Sequence, residues 1–358
     1  MDFLVQNALE GMKSSNLGNI TIGKASIKVV GVGGAGNNMI SWLYQKGISG
    51  AEVFAVNTDQ QHLDISEADN KVLIGASLTK GLGAGGYPNV GREAAKESLH
   101  IIKEMVKDSD MVFLCAGMGG GTGTGALPVI AEMAKESGSI VIGTVTMPLS
   151  LEKARIDKAE FGLQQLRQAC DTVIVIDNMR LVKIAGNLPL KQAFAVANEL
   201  ISTMIKGIVE IIAVPSLVNL DYADVKAIMR EGGVSVIGIG ESDTERRVDE
   251  SVKRALSNPL LDVSYNGATG ALIHITGGED LTLDEVNKVG EIVTESLDAD
   301  APVIWGARID KDMHGKIRVM TIITGVTSPY VLGKIDYAKP SANYQQMGRE
   351  LGIEMVRA

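Results

Sequence analysis

Seven consecutive residues, Gly119-Gly120-Gly121-Thr122-Gly123-Thr124-Gly125, carry most of the chemistry legible in this chain. An apolar run from Met111 to Ala116 precedes them and reads as a buried strand. Ala126 to Ser137 follows as a helix, with Pro128 expected in its first turn. Strand, glycine loop and helix together bind phosphate. Glycines let backbone N–H groups come close to an anion, and the helix N-terminus adds positive potential. The two threonines add hydroxyl donors. A P-loop requires the lysine of GxxxxGKS/T, and none stands here. The anion is therefore held by backbone and hydroxyls, with its charge neutralised by a metal or by other residues.

Further glycines narrow the ligand. The first strand ends in Gly31-Val32-Gly33-Gly34-Ala35-Gly36, which matches the dinucleotide text G-x-G-x-x-G. That reading wants an acid after the second strand, and Asp59 could serve. A nicotinamide enzyme needs one pyrophosphate cradle, however. Here there are two, and a third glycine loop, Gly81-Leu82-Gly83-Ala84-Gly85-Gly86, joins them. The set suggests one nucleotide with a long phosphate chain. Phe194 and Asn198 lie one turn apart in a long apolar segment and share a face. The ring can stack on a purine and the carboxamide suits a guanine edge; equally, the pair can be core with a polar residue satisfied by backbone. Asp221 and Asp224, close after Asn219, read either as an N-cap with a shortened capping box or as paired carboxylates for chemistry.

Those residues need elements to position them. From Ser26 onward, continuous apolar strands alternate with helices, which implies an α/β fold with a parallel sheet covered on both faces. Single helices are expected over Val90–Lys107 and Leu151–Ala169, and a loop over Ala76–Asn89. Leu188 to Val214 is apolar almost all round, so it is expected to be a long buried helix between two domains, with Pro189 in its first turn and Pro215 ending it. The expected organisation is an N-terminal extension over 1–25, a nucleotide-binding domain over 26–187 and a central helix over 188–214. A smaller α+β domain over 215–326 and a linker and tail over 327–358 complete it.

Composition sets limits. A net charge of −9 without a basic, aromatic-rich stripe argues against nucleic acid. No apolar run reaches the roughly 18 residues of a membrane span, and no signal segment opens the chain, so a cytoplasmic protein with no direct membrane insertion is expected. Cys115 and Cys170 sit in apolar runs as core thiols. The four histidines show no ligand spacing, so the metal ligands are unknown at this stage.

Taken together, GVGGAGNN, NTD, GLGAGG, GGGTGTG and NLDYADV resemble the tubulin/FtsZ family of GTPases, nearest its archaeal members, over about Ser26 to Val326. The resemblance implies a Rossmann-like, parallel-sheet GTP-binding domain, a long central helix and a smaller α+β C-terminal domain. It implies that Gly33, Gly34, Ala35, Gly36 and Asn37 line GTP or GDP. Ala84, Gly85 and Gly86 would approach the γ-phosphate, and Gly119, Gly120, Gly121, Thr122, Gly123, Thr124 and Gly125 would hold the α- and β-phosphates. Asn178, Phe194 and Asn198 would meet the guanosine, and Glu152 the ribose. Mg2+ would bridge the phosphates with mostly water ligands, Asp59 and Gln61 being candidates to act through water. Asn219, Asp221 and Asp224 would act on the nucleotide of the next subunit in a head-to-tail homopolymer of the division ring. Some positions depart from the common pattern. Pro148 to Arg155 is one residue short and lacks a glycine, so Glu152 and Arg155 fall three apart and can pair with each other. Tyr87 replaces a common asparagine and Asp177 a common proline. Leu351, Ile353 and Val356 give the tail apolar residues with which to dock a membrane-tethering division protein. The rival readings are an NAD(P)-dependent oxidoreductase and a non-polymerising GTP-binding regulator.

Overall fold

The computed structural model describes residues 25–213, 216–218, 220, 222–231, 235–257, 265, 268–295, 297–298 and 300–326. Asn219, Asp221, Pro215 and the expected N-terminal and C-terminal extensions lie outside the described residues.

The apolar runs become strands β1 (Ile27–Val32), β2 (Ala51–Asn57), β3 (Asn70–Leu73), β4 (Met111–Gly117), β5 (Ile140–Met147) and β6 (Thr172–Asp177). They form one parallel sheet in the order β3-β2-β1-β4-β5-β6. Helices cover both of its faces, so the central strands have no polar side to show: every residue of β1 is buried, as are the first six of β4. One apolar layer carries Met39, Ile40 and Leu43 of α1 (Gly33–Lys46). The other carries Ile102, Leu127, Ile130 and Leu166. The strand order reverses between β1 and β4, so a crevice opens beyond their carboxyl ends.

The helices that follow are α2 (Gln60–Ile65), α3 (Ala76–Thr79), α4 (Pro88–Glu97), α5 (Leu99–Val106), α6 (Thr122–Glu136), α7 (Ile156–Ala169), α8 (Asn178–Ala185) and α9 (Leu190–Ala213). Several differ from expectation. Helix α3 and the first residues of α4 occupy part of the expected loop over Ala76–Asn89, Pro88 standing in the first turn of α4 where a missing N–H costs nothing. The single helix over 90–107 breaks at Ser98, whose ψ of 19° is not helical and whose hydroxyl accepts from Gly75 N at 2.9 Å. The helix over 151–169 starts only at Ile156, after a 3-10 turn over Ser150–Arg155. Helix α6 starts at Thr122 rather than Ala126, so Pro128 sits inside it; Gly125 N already donates to Gly121 O at 3.0 Å. The central helix α9 is buried only along its later turns, through Ile201, Ile205 and Ile208. Its start is open, with Leu190 69% exposed and Phe194 39%, because that end walls a crevice rather than a core.

Beyond α9 lie α10 (Tyr222–Glu231), β7 (Ser235–Ser242), α11 (Arg247–Leu256), β8 (Gly270–Gly277), α12 (Leu283–Thr294), β9 (Val303–Ile309) and β10 (Ile317–Thr324). The second sheet runs β7-β10-β8-β9. Strand β10 is antiparallel to both neighbours, and β9 is parallel to β8. Helix α9 touches this sheet so closely that a Cβ on Gly207 would overlap Met320 Cε.

Candidate active site

A cavity of about 470 Å³ opens at the carboxyl ends of β1 and β4, within the roughly 300–1,000 Å³ range of small-molecule sites. Its floor is backbone. Gly33, Gly34 and Ala35 at the start of α1 line it, as do Gly120, Gly121, Thr122 and Gly123 at the start of α6. No side chain caps either helix, and neither has an acid in its first turn. Two sets of helix-start N–H groups therefore face one space, which is an arrangement for an anion.

The three glycine loops converge as the sequence suggests. A Cβ on Gly33 would lie 2.9 Å from Gly123 N, so the first loop touches the second. One on Gly121 would lie 2.8 Å from Ala84 Cβ and 2.9 Å from Tyr87 N, so the third loop lies on the second. One on Gly125 would overlap Pro88 O, and one on Gly36 would overlap Cys115 O. Gly36, Gly125 and Gly119 thus sit behind the cavity wall and bring the backbones together, while Ala84, Gly85 and Gly86 stand over Gly121 and outside the lining.

Polar side chains behind the loops hold them. Asn37 is fully buried. With its amide satisfied at both ends, its nitrogen faces the carbonyls of Gly31, Gly33 and Val56 at 3.1, 2.7 and 3.1 Å, and its oxygen accepts from Ser66 Oγ at 3.2 Å. Thr124 Oγ1 accepts from Gly119 N at 2.8 Å, and the Thr58 and Thr122 hydroxyls pair at 2.7 Å. Asp59 accepts from His62 N at 3.1 Å, capping α2, and stands beside Gly83; neither it nor Gln61 lines the cavity. Among the described residues no group of three or more His, Cys, Asp or Glu side chains stands close enough to hold a metal.

The far wall comes from three other elements. Phe194 and Asn198 line it from α9, so their shared face is a cavity face. Asn178 opens α8, which Asp177 caps by accepting from Met179 N at 2.8 Å. Asn178 Oδ1 is buried without a hydrogen-bond partner, a polar atom placed for a donor that a ligand would bring. Glu152 and Arg155 line the wall and pair at 2.6 Å, as their three-residue spacing suggests; Glu152 also accepts from Leu149 N at 3.0 Å. Sequence reasoning missed Asn38, Thr146, Met147 and Pro148, which also line the space. Thr146 and Met147 end β5 and Pro148 follows it, and the rule that open α/β sheets bind ligands at strand carboxyl ends would have found them. Cys115 and Cys170 stay out of the chemistry, since burial pushes both thiols up, Cys115 to about 12.

Asp224 lies elsewhere. It occupies the first turn of α10, which Tyr222 fixes by donating its hydroxyl to Asp110 O at 2.7 Å. Asp110 immediately precedes β4, whereas the glycine loop follows it. At about 3.3 Å per residue, β4 holds the two apart by roughly 20 Å.

Comparison with known proteins accords with this geometry. The model described as "Tubulin/FtsZ family, GTPase domain" matches residues 26–186, and "FtsZ family, C-terminal domain" matches 233–327. "Cell division protein FtsZ 2" of Methanocaldococcus jannaschii is 57% identical over 92% of this chain and 88% of its own length. "Cell division protein FtsZ 1" of Archaeoglobus fulgidus is 49% identical over 93% and 89%. A solved FtsZ dimer from M. jannaschii superposes with a TM-score of 0.78 at 50% identity, covering 89% of this chain and 91% of that one. Nothing in these matches supports the oxidoreductase or the non-polymerising regulator. Both domains are matched in order, and a curated relative is similar across nearly the whole chain, so this chain belongs to the tubulin/FtsZ family and is a tubulin-like GTPase of cell division.

Proposed function

We propose that GTP is hydrolysed between two copies of this chain stacked head to tail. The observation that carries this reading is the separation of Asp224 from its own cavity by the length of β4. A carboxylate at the far end of β4 from the phosphate loops cannot reach their ligand, but it can reach the cavity of the copy below. Such a contact joins unlike surfaces and does not close, so repetition gives a filament. The M. jannaschii FtsZ solved as a dimer supports self-association.

Within one subunit, the starts of α1 and α6 present backbone N–H groups to the phosphates, and the loop over Gly119, Gly120, Gly121, Thr122, Gly123, Thr124 and Gly125 keeps that cradle nearly bare, Thr122 being the one threonine of the loop in the lining. Phe194 stacks on the purine. Asn198 and the unsatisfied Asn178 Oδ1 meet the guanosine edge and ribose side, and Glu152 takes the ribose. Arg155 gives less charge to the nucleotide than a free arginine would, because Glu152 neutralises it at 2.6 Å. Ala84, Gly85 and Gly86 face the terminal phosphate, with Asp59 behind them. Mg2+ fits a site without a carboxylate cluster, since this ion commonly keeps waters and binds chiefly through phosphate oxygens. When bound, it neutralises phosphate charge. From the next subunit, Asp224, with Asn219 and Asp221, orients the attacking water.

The protein then acts in the cytoplasm at the division site. No helix of the described residues is long and apolar enough to cross a membrane, so a tethering division protein is proposed to dock on Leu351, Ile353 and Val356. Removing residues 340–358 abolishes that docking and leaves GTP turnover unchanged; docking that survives the truncation overturns this part.

The test of the main reading is GTP turnover per subunit against protein concentration, for the wild type and Asp224→Ala. Turnover that rises above a threshold concentration and vanishes in Asp224→Ala, with GTP still bound, is expected. Turnover per subunit that is independent of concentration and of Asp224 overturns it.

A further inference from the structure

The Gly81–Gly86 loop has an anchor that neither the motifs nor the family match assigns. Lys158, on α7, donates from Nζ to Gly86 O at 2.8 Å and stands 5.4 Å from the centre of the Tyr87 ring. Tyr87 is the residue just before α4, and its own N–H donates to Ala84 O at 3.0 Å. One cation therefore fastens both the last glycine of the loop and the aromatic residue that follows it.

The anchor continues along a single face. Phe161 and Gln165 follow Lys158 at i+3 and i+7, the spacing of one helix stripe. Arg92 of α4 stacks over the Phe161 ring at 5.9 Å and hydrogen-bonds to Gln165. Helix α7 is itself seated on α6, because Gly162 leaves no room for a Cβ against Thr124 Cγ2. The stripe thus ties the third loop to the helix that begins at the phosphate cradle. The first part of the loop is tied by Gln60 N donating to Gly81 O at 2.9 Å and Gly83 N donating to Thr58 O at 3.0 Å, so the tie from Lys158 serves the part after Ala84. A Cβ on Gly86 would meet nothing within 4 Å, and Gly83, Gly85 and Gly86 all have positive φ.

We infer that Lys158 is a positioning residue for the terminal phosphate: with Tyr87 it latches the loop over Gly121, and the latch sets how strongly the site prefers a nucleoside triphosphate over a diphosphate. The inference rests on the proposed reading that Ala84, Gly85 and Gly86 face the third phosphate. A loop already in place loses less entropy when the phosphate arrives. The α- and β-phosphates meet the α1 and α6 loops instead, so they gain little from the latch.

The experiment is competition binding of GTP and GDP with Mg2+, below the concentration at which the full-length chain assembles, on wild type, Lys158→Ala, Lys158→Arg and Tyr87→Ala. One charge-assisted contact with a ring contact is worth about tenfold. Lys158→Ala and Tyr87→Ala are expected to weaken GTP by about fivefold to tenfold and GDP by less than about twofold, and Lys158→Arg to stay near wild type. Thermal melting without nucleotide should move little, since Lys158 is only half-buried. Equal loss for both nucleotides, or no loss for either, overturns the latch. A wild type that binds neither nucleotide overturns the GTPase reading itself, a result distinct from failure of the latch alone.

Discussion

The two halves of the molecule share one packing device and differ in a second. In the parallel-sheet half, backbone meets backbone at glycines: Gly36 against Cys115, Gly91 against Gly121, Gly125 against Pro88. The C-terminal half uses the same device where α11 lies on β7, at Gly238 against Ala255 and Gly240 against Ser251, and adds an ion cluster to it. Arg247 donates to Asp280 at 2.6 Å and to Glu285 at 2.7 and 2.9 Å, and His314 stands 3.3 Å from Asp280. The first device leaves N–H groups bare for a ligand and contains nothing that titrates. The second ties α11 to α12 and to the segment before it, and depends on charge. Added volume should therefore harm either half, whereas acid should harm the C-terminal one.

The largest effect is expected at Gly125. An alanine there drives its methyl into Pro88 O, and backbone cannot move aside as a flexible side chain can. Overpacking costs about 1–3 kcal/mol even where neighbours yield, so Gly125→Ala should give little soluble, cooperatively melting protein. Normal yield and melting would break the contrast.

Gly120 sharpens it. This glycine lines the same cavity, yet a Cβ there meets nothing within 4 Å and its φ is not positive. Gly120→Ala should melt like the wild type while GTP affinity drops by about tenfold, a loss of about 1.4 kcal/mol from one crowded phosphate contact. Unchanged affinity would mean that the open space is not the phosphate's.

Acid probes the other half. The Arg247 hydrogen bond, with that from Gly315, holds the Asp280 carboxyl down at about 2, below its ordinary 3.8. A depressed carboxylate stabilises fully above its unfolded value. That stabilisation fades as pH falls from 3.8 through about 2. Asp280→Asn should flatten the pH dependence of the urea midpoint over that window and leave Gly125→Ala-type defects untouched. A slope that survives Asp280→Asn assigns it elsewhere.

A second pH effect is expected at His274, in a window above that of Asp280. Burial and then the Arg308 charge push this histidine down to about 4 from 6.5, and its Nε2 has no hydrogen-bond partner. The unfolded chain then binds a proton that the fold refuses, so stability declines as pH drops from 6.5 to about 4. His274→Leu should remove that decline, read as the urea midpoint at three pH values; an unchanged decline points to other groups.

The contrast also explains what the sequence made legible. Strands β1, β4, β5 and β6 are apolar on both faces, so their runs need no partner information to be read. The glycine loops are legible because bare backbone leaves a compositional trace. The Glu152–Arg155 pair follows from local spacing. What escaped depends on distant partners. The break at Ser98 has its cause in Gly75, 23 residues away. The open start of α9 reflects a cavity assembled from four strand ends, which the hydrophobicity of α9 alone cannot reveal. Asn37 and Asn38 look alike as neighbours, yet one is buried under the loop and the other lines the space.

The central claim is that the two halves of one active site belong to different subunits, and mixing tests it most directly. Asp224→Ala keeps the cavity and loses the carboxylate. Gly120→Asp keeps Asp224 and sets a negative charge against the phosphates. Each alone should turn over almost no GTP. Mixed in equal amounts above the assembly concentration, they should regain turnover, because the intact cavity of one meets the intact carboxylate of the other. A mixture as inactive as its components, with filaments present and GTP bound to the Asp224→Ala subunits, would contradict the shared site.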